Sequence, residues 1–162
     1  MRRRMHSRIR SALMTTMLAS MVVIPIRITQ TPRTNVKVAD FQRLRWLEGD
    51  WIGKGGSYPV FYERYTFVDD STIEQQSFSD AGMKTVTDRS VIALRGGRVT
   101  NRGEGTLHNV VMLDATGVTF APTKPGSNAF TFRRATKGAW LAILKAPNGK
   151  RTIYEMKPKR QG

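Results

Sequence analysis

The stretch WLEGDWIGKGG, residues 46–56, lies where the sequence changes from a helical to an extended pattern. Before it, Asp40 can cap a short helical turn with its carboxylate. The apolar residues behind this cap recur at helical spacing, namely Phe41, Leu44 and Leu47. After it, short runs rich in β-branched and aromatic residues alternate with turn residues. Residues 46–56 therefore predict a helical turn that leads into the first strand of a β-rich domain.

Ten β-rich runs lie between Asp50 and Lys157, which gives about eleven residues for each strand and its turn. In order they are DWIGKG, VFYERYTF, TIEQQSFS, KTVTDRSVIAL, RVTNRGE, TLHNVVML, GVTFAP, NAFTFRR, AWLAILKA and RTIYEMK. Between the last two runs, Asn148-Gly149 is the strongest hairpin signal, because a type I′ turn needs positive φ at both central residues. Consecutive hairpins favour a meander, and closing it removes the exposed edges. The sequence thus predicts an all-β fold, an antiparallel up-and-down barrel of about ten strands, which can enclose one small ligand.

The N-terminal residues have the order of a secretory signal peptide. Residues 1–11 are basic, and the 15 residues that follow carry no charge, fewer than the roughly 20 of a membrane span. We therefore predict a signal-peptide helix within residues 1–26, a linker over residues 27–39 and a barrel domain over residues 40–160, periplasmic or secreted. Because Arg27 follows directly and no clean small-x-small cleavage site is visible, the alternatives are an uncleaved anchor in the inner membrane and a fortuitous apolar leader.

The charge of the chain restricts its partners. There are 27 Lys and Arg against 12 Asp and Glu, a net charge of +15, and five of the arginines lie in the basic leader. The remaining excess favours anionic partners such as a membrane surface, with a simply solvated surface as the alternative. The densest basic positions after the leader are Arg133, Arg134, Lys150, Arg151, Lys157, Lys159 and Arg160. Aromatic residues do not alternate with them as in a single-strand binding groove, so nucleic acid is disfavoured.

Residue types that carry metal and covalent chemistry are scarce. The chain has no cysteine, which excludes disulfides and thiolate metal sites, and only two histidines, His6 and His108. A zinc site built on several histidines is therefore disfavoured. There is no serine nucleophile elbow and no acid pair at a diagnostic spacing. We predict no metal, no cofactor and no catalytic residues, and we favour a binding protein over an enzyme.

The helical turn followed by Gly49-Asp50-Trp51 resembles the Gly-x-Trp entry of the calycin superfamily, which comprises lipocalins and fatty-acid-binding proteins. The longer run LRWLEGDWIGKGGSYPVFYERYTF, residues 44–67, is similar to the opening of bacterial lipocalin-like domains of unknown function and of nitrobindin-like barrels. The resemblance extends over residues 40–160 in strand count and length, whereas its specific motif is confined to residues 44–65.

The resemblance implies structural roles for the opening stretch and limits the ligand. In the superfamily the tryptophan packs across the closed end of the barrel, so Trp46, Gly49 and Trp51 are expected to close it. Nitrobindin-like proteins bind haem through a late histidine, and no histidine follows His108, so haem is not implied. Fatty-acid-binding proteins grip a carboxylate with an Arg-x-Tyr pair, whereas Arg151 and Tyr154 are three residues apart and would face opposite sides of a strand.

Four residues are candidates for contacting a ligand: Glu63, Tyr65, His108 and Tyr154. In VFYERYTF the more aromatic face consists of alternate residues, Phe61, Glu63, Tyr65 and Phe67. If that face points inward, Glu63 becomes a buried carboxylate beside Tyr65. It would then be a polar group that orients a ligand in an apolar cavity. The alternatives are that the face carrying Arg64 is the inner one, or that Glu63 pairs with a nearby arginine.

The remaining candidates carry weaker signals. A lone strand histidine such as His108 is more often satisfied or solvent-facing than a ligand. Tyr154 shares a strand face with Lys150, so a Lys150/Tyr154 anion site is conceivable. Asp88 and its neighbour Arg89 face opposite ways, and we expect a surface cross-strand salt bridge for both.

The three glycines after Trp51 are expected to bend the first strand, since no Gly-Lys-Ser/Thr follows them and no helix begins there, as a phosphate loop requires. Together these observations predict an exported lipocalin-like barrel that binds a small apolar or amphipathic molecule in its cavity. The alternatives are an envelope interaction protein with a filled barrel and a basic surface that meets an anionic partner, and a cavity enzyme that uses Glu63 or His108.

Overall fold

The computed structural model describes residues 30–160. A short helix, α1 (Val38–Phe41), continues as a 3-10 turn (Gln42–Leu47) and is followed by ten strands. The strands are β1 (Gly49–Gly55), β2 (Tyr58–Asp69), β3 (Thr72–Phe78), β4 (Val86–Arg95), β5 (Arg98–Gly103), β6 (Thr106–Leu113), β7 (Gly117–Pro122), β8 (Ala129–Arg134), β9 (Trp140–Lys145) and β10 (Arg151–Pro158). All ten predicted runs form strands. The predicted signal-peptide helix lies outside the described residues.

Every strand pairs with its neighbours in the chain in antiparallel fashion, and β1 pairs with β10 to close the barrel. Trp51 of β1 lies opposite Pro158 of β10 on one side and Glu63 of β2 on the other. The prediction of an up-and-down barrel of ten strands is therefore confirmed, and each strand has both edges paired. None of the helices in residues 30–160 is long and apolar enough to span a membrane.

The helix begins earlier than we predicted. Asp40 lies inside α1 and not before it. Its carboxylate accepts a hydrogen bond from the backbone N–H of Lys37 at 3.3 Å. An acidic residue in the third helical position satisfies a free N–H at the helix start by reaching back, which explains why the sequence pattern placed the start of the helix too late.

The described part of the predicted linker packs against the barrel. The backbone N–H of Arg33 donates to the carbonyl of Val110 at 2.8 Å, and that of Val36 donates to the carbonyl of Gly97 at 3.0 Å. The side chain of Val36 is buried in the core cluster. Val36 thus lies at the same end of the barrel as α1, and Arg33 lies against β6.

The barrel interior beside α1, which we call the packed half, is filled by large apolar side chains. Its centre is Trp140, which is 1 % exposed and lies 5.7 Å from Trp51 and 6.0 Å from Trp46, ring centre to ring centre. The indole N–H of Trp51 donates to the carbonyl of Leu47 at 2.7 Å. The other large, fully buried inward residues are Ile73, Ile92, Val99, Val110, Val118, Phe120 and Met156.

Two glycines of β1 allow close approach of neighbouring strands. A Cβ atom at Gly53 would collide with the ring of Phe61, and one at Gly55 would collide with the backbone of Ile153. The pairing of β1 with β2 also shifts register between these two glycines. These glycines thus make room for the Phe61 ring and the Ile153 backbone beside a register shift in β1, and the expected bend of the strand stays a prediction.

Candidate functional site

The other end of the barrel, the mouth half, contains a cavity of about 1070 Å³. Residues from the turns at the end opposite α1 form its rim, including Tyr58, Glu104 and Ser127. Tyr58 is 64 % exposed, so the rim is in contact with solvent. The barrel is therefore not filled by its own side chains, and its fold could hold a ligand.

One wall of the cavity is aromatic and aliphatic. β8 contributes Phe130 and Phe132, whose ring centres lie 5.3 Å apart. Phe61 of β2 and Tyr154 of β10 extend this wall, with ring centres 5.4 Å apart in an edge-to-face arrangement. Aromatic pairs in such offset geometries hold their rings in place, so this wall offers a firm apolar surface to a ligand.

The facing wall is polar and is formed by β3 to β6. Ser90 donates to the side-chain oxygen of Gln75 at 2.9 Å, and the amide nitrogen of Gln75 donates to the hydroxyl of Ser77 at 2.9 Å. Asn101 and His108 continue the wall and are cross-strand partners on β5 and β6. A cavity with one apolar and one polar wall matches an amphipathic ligand.

Glu63 and Tyr65 point into this cavity from β2, so the aromatic face of VFYERYTF is the inner one. The hydroxyl of Tyr65 donates to the Glu63 carboxylate at 2.9 Å. Burial raises the pKa of Glu63 to about 7, the Tyr65 hydrogen bond opposes that rise, and the nearby charge of Asp88 adds to it. The pKa of Tyr65 is raised well above 10 by burial and by the Glu63 charge. Glu63 is therefore a carboxyl group whose charge changes near neutral pH.

His108 lines the same cavity from β6 and is 8 % exposed. Its Nε2 lies 3.0 Å from the carbonyl oxygen of Asn128, and its ring centre is 4.8 Å from that of Phe130. Because a carbonyl oxygen can only accept, Nε2 carries the proton in this bond. In the neutral ring Nδ1 is then an acceptor, and the position of the ring is fixed by its contacts.

Tyr154 also lines the cavity, but Lys150 does not. Lys150 lies in the turn between β9 and β10, where its backbone N–H donates to the side chain of Asn148 at 3.0 Å. The conceivable Lys150/Tyr154 anion site is therefore not formed, because the strand begins only at Arg151 and the lysine belongs to the turn.

The sequence reasoning also misplaced Asp88. This residue lines the cavity and is the cross-strand partner of Ser77. Among the described residues neither Asp88 nor Arg89 forms a salt bridge, so the expected surface pair is wrong. The polar wall was missed as well, since Gln75 and Asn101 resemble ordinary strand residues until their partners are known.

All four residues proposed as ligand contacts line one cavity. The enzyme alternative required Glu63 and His108 to share a pocket, and they do. Within the described part of the chain, however, no hydrogen bond joins them: Glu63 accepts from Tyr65, and His108 contacts Asn128. In residues 30–160 no group of three or more acidic or histidine side chains could hold a metal ion.

The basic residues singled out in the sequence lie at both ends of the barrel. Arg133 and Arg134 end β8 and are exposed near α1, whereas Arg151 begins β10 and is exposed near the mouth. They do not form a single basic face, and contact with an anionic membrane surface stays a prediction.

The structure is compatible with a lipocalin-like fold through its strand number, its closed antiparallel topology and the N-terminal helical turn. Comparison of the chain with protein-family models and with curated proteins gives no match.

Proposed function

We propose that this protein is an exported, calycin-like carrier or receptor that binds one small amphipathic molecule in the mouth half of its barrel. The observation that carries the proposal is the cavity of about 1070 Å³ with an aromatic wall facing a polar wall. Pockets for small ligands commonly span about 300–1000 Å³ and combine apolar lining with a few polar groups. The location is the periplasm or the exterior, with an inner-membrane anchor as the alternative.

The aromatic wall supplies the driving force in this proposal. Burying apolar surface gains about 25 cal/mol per Å², so a ligand that covers about 200 Å² of its own apolar surface gains about 5 kcal/mol before its loss of freedom is counted. Phe130, Phe132 and Tyr154 hold each other or neighbouring rings in place, which lowers the cost of ordering the site.

The polar wall orients the ligand. Glu63, Asn101 and His108 each present a polar group to the cavity, whereas Gln75 is already engaged with two serines. A ligand that pairs with the first three groups and lays its apolar part on the aromatic wall satisfies both surfaces. A purely apolar ligand would leave the polar groups unpaired, which costs free energy in a dry cavity.

The test is binding of the uncharged fluorescent probe N-phenyl-1-naphthylamine to the purified protein. Ala142→Phe fills the cavity from β9, because Ala142 is buried and lines it. Ile143→Phe adds the same ring to the next position of the strand, whose side chain does not line this cavity. We expect the probe to bind the wild type and Ile143→Phe and to lose at least tenfold in affinity for Ala142→Phe.

Thermal unfolding of both variants serves as the control for folding. Equal probe affinity in the wild type and a folded Ala142→Phe variant would contradict binding in the cavity. Native mass spectrometry of the protein purified from its host identifies the mass, and hence the chemical class, of any ligand retained.

A further inference from the structure

The charge of the cavity is opposite to the charge of the protein. The chain carries 27 Lys and Arg against 12 Asp and Glu. Of the described residues, no Lys or Arg lines the cavity, whereas three acidic residues do: Glu63, Asp88 and Glu104. Since charges lining a low-dielectric cleft act strongly on its contents, the cavity favours a positive group.

Two of these carboxyl groups lie in one row across the sheet. Ser77 of β3 is the cross-strand partner of Glu63 on β2 and of Asp88 on β4. Strands lie about 4.8 Å apart, so the backbones of Glu63 and Asp88 are roughly 10 Å apart, and both side chains line the cavity. A cation in the cavity that lies next to Ser77 would therefore be attracted by both carboxyl groups.

Unused hydrogen-bond acceptors are a second, independent observation. Asn101 is 8 % exposed and lines the cavity, yet in residues 30–160 its side-chain amide makes no hydrogen bond within the protein. In its neutral form His108 offers a second acceptor at Nδ1, since its Nε2 proton is engaged with Asn128. The Asn101 amide therefore opens onto the cavity, and a ligand must carry N–H or O–H groups to use these two acceptors.

The hydroxyl donors next to Glu63 and Gln75 already have hydrogen-bond partners in the protein. The hydroxyl of Tyr65 donates to Glu63, and that of Ser90 donates to Gln75. The Asn101 amide nitrogen still offers N–H donors, but a ligand carboxylate would approach three acidic residues. A ligand ammonium group finds carboxylates and neutral acceptors, and aromatic faces such as that of Tyr154 are compatible with a cation.

We propose that the cavity selects a cationic amphiphile: a molecule with an apolar body that lies on the aromatic wall and a protonated amine that lies between Glu63 and Asp88. This proposal rests on the proposed binding function and names the ligand class. It separates this protein from binders of fatty-acid carboxylates, because the acidic lining repels such head groups.

The experiment compares three ligands that share one tail and differ in head-group charge: decylamine, decanol and decanoate. Each displaces N-phenyl-1-naphthylamine from the full-length protein at pH 8, below the micellar concentration of decylamine and decanoate and below the aqueous solubility of decanol. We expect decylamine to bind at least tenfold more tightly than decanol, and decanoate to bind more weakly than decanol.

Two variants test whether the preference for decylamine arises from the acidic lining of the cavity. Glu63→Gln removes the charge and keeps an oxygen that can accept from Tyr65. We expect it to reduce decylamine affinity about tenfold and decanol affinity by a clearly smaller factor, so that the preference for the amine falls. Glu74→Gln is the matched control, because Glu74 lies on β3, is exposed and does not line the cavity. If Glu63→Gln fails to fold, Asp88→Asn tests the same attraction from the exposed rim, with an expected loss of threefold or more.

The outcomes separate this proposal from the binding function on which it rests. If decanol or decanoate binds as tightly as decylamine, or if folded Glu63→Gln and Asp88→Asn keep the preference for the amine, the ligand class is wrong while cavity binding stands. If neither the probe nor any of the three ligands binds the wild type, both proposals fail. Decanoate binding that survives Ala142→Phe identifies attraction to the basic surface and also counts against selection by the cavity.

Discussion

The packed half and the mouth half of the barrel are built from the same strands, yet their inward residues differ in kind. On β4 the inward residue changes from Ile92 in the packed half to Ser90 in the mouth half, and on β5 from Val99 to Asn101. On β9 the change is from Trp140 to Ala142, in which a large ring gives way to a methyl group. At these three positions the inward side chain in the mouth half is smaller or more polar than the one in the packed half.

In this barrel, stability and ligand binding thus depend on different side chains. In the packed half, large apolar side chains exclude water and supply the hydrophobic free energy of folding. In the mouth half, small and polar side chains leave space and unpaired acceptors, which contribute little to stability and are available to a ligand. Substitutions in the packed half should therefore act mainly on stability, and those in the mouth half mainly on binding.

The largest effect on stability is expected from Trp140→Ala in the packed half. Trp140 contacts the rings of Trp51, Tyr65 and Phe132, and truncating a buried aromatic side chain costs about 3–5 kcal/mol. Urea unfolding measures the loss. Phe130→Ala, on the partly exposed cavity wall, should lower the free energy of unfolding by about half as much as Trp140→Ala. For the same loss of stability, it should weaken probe binding more than Trp140→Ala does. A loss below about 1 kcal/mol for Trp140→Ala would refute the division into two halves.

The second prediction is that the free energy of unfolding depends on pH because of Glu63, which lies in the mouth half. The pKa of Glu63 is raised from 4.5 to about 7 in the folded protein, so the folded state holds a proton that the unfolded state releases. The stability from this group is fully present below about pH 4.5 and is lost as the pH rises through about 7. The free energy of unfolding should therefore fall by about 2–3 kcal/mol between pH 5 and pH 8.

Urea unfolding of the wild type and of Glu63→Gln at pH 5 and pH 8 checks this slope. The variant should lack the slope and be the more stable protein at pH 8, since it carries no buried charge. The groups that shift the pKa of Glu63 are Tyr65 on its own strand and Asp88 on β4, and the pKa of Tyr65 lies outside this window. The other titratable groups that line the cavity with Glu63 are Glu104, His108 and Tyr154. The carboxyl groups with lowered pKa act only below about pH 4: Asp50, Asp69 and Asp114. An identical slope in both proteins would rule out Glu63 as its source.

The substitution Asn101→Leu should raise the stability of the protein and lower its affinity for the ligand. Asn101→Leu replaces a largely buried amide that faces the cavity by an apolar side chain of similar size. This removes part of the desolvation penalty of about 1–3 kcal/mol that a fully buried, unpaired amide carries. We expect the free energy of unfolding to rise by about 1 kcal/mol and the affinity for decylamine to fall. Asn109→Leu, the neighbouring outward position on β6, is the control. A stability loss with Asn101→Leu would mean that the amide is satisfied in solution.

Much of the fold could be predicted because its signals are local. Turn residues such as Asn148-Gly149 mark strand ends wherever the strands later pair. The expected type I′ turn is wrong, however, because only Gly149 adopts a positive φ, of 84°, and Asn148 does not. The alternation of side chains on β2 likewise places Phe61, Glu63 and Tyr65 on one face from the sequence alone. These features need no knowledge of distant residues.

The character of the cavity could not be predicted in this way because it arises between strands. Asp88 approaches Glu63 only through their shared partner Ser77, a register that neither segment encodes by itself. The pKa of Glu63 depends on burial by side chains of several strands. The start of α1 and the position of Lys150 were misjudged for a related reason, since element ends depend on hydrogen bonds formed in the folded chain.

The smallest effect is expected on the outer surface of the packed half, where Asp50 lies next to Trp51 on β1 but points away from the interior. Its carboxylate accepts two hydrogen bonds from Arg64, at 2.6 and 2.8 Å, and these bonds with the Arg64 charge lower its pKa. Because both side chains are partly exposed, water screens the pair, and Asp50→Asn should cost only about 0.5–1 kcal/mol at pH 7.

A double-mutant cycle with Arg64→Gln isolates this coupling from other effects of the substitutions. Probe affinity should not change, because neither residue lines the cavity. A coupling as large as the loss from Trp140→Ala would mean that surface charge and not interior packing stabilises this half, and would remove the contrast between the two ends.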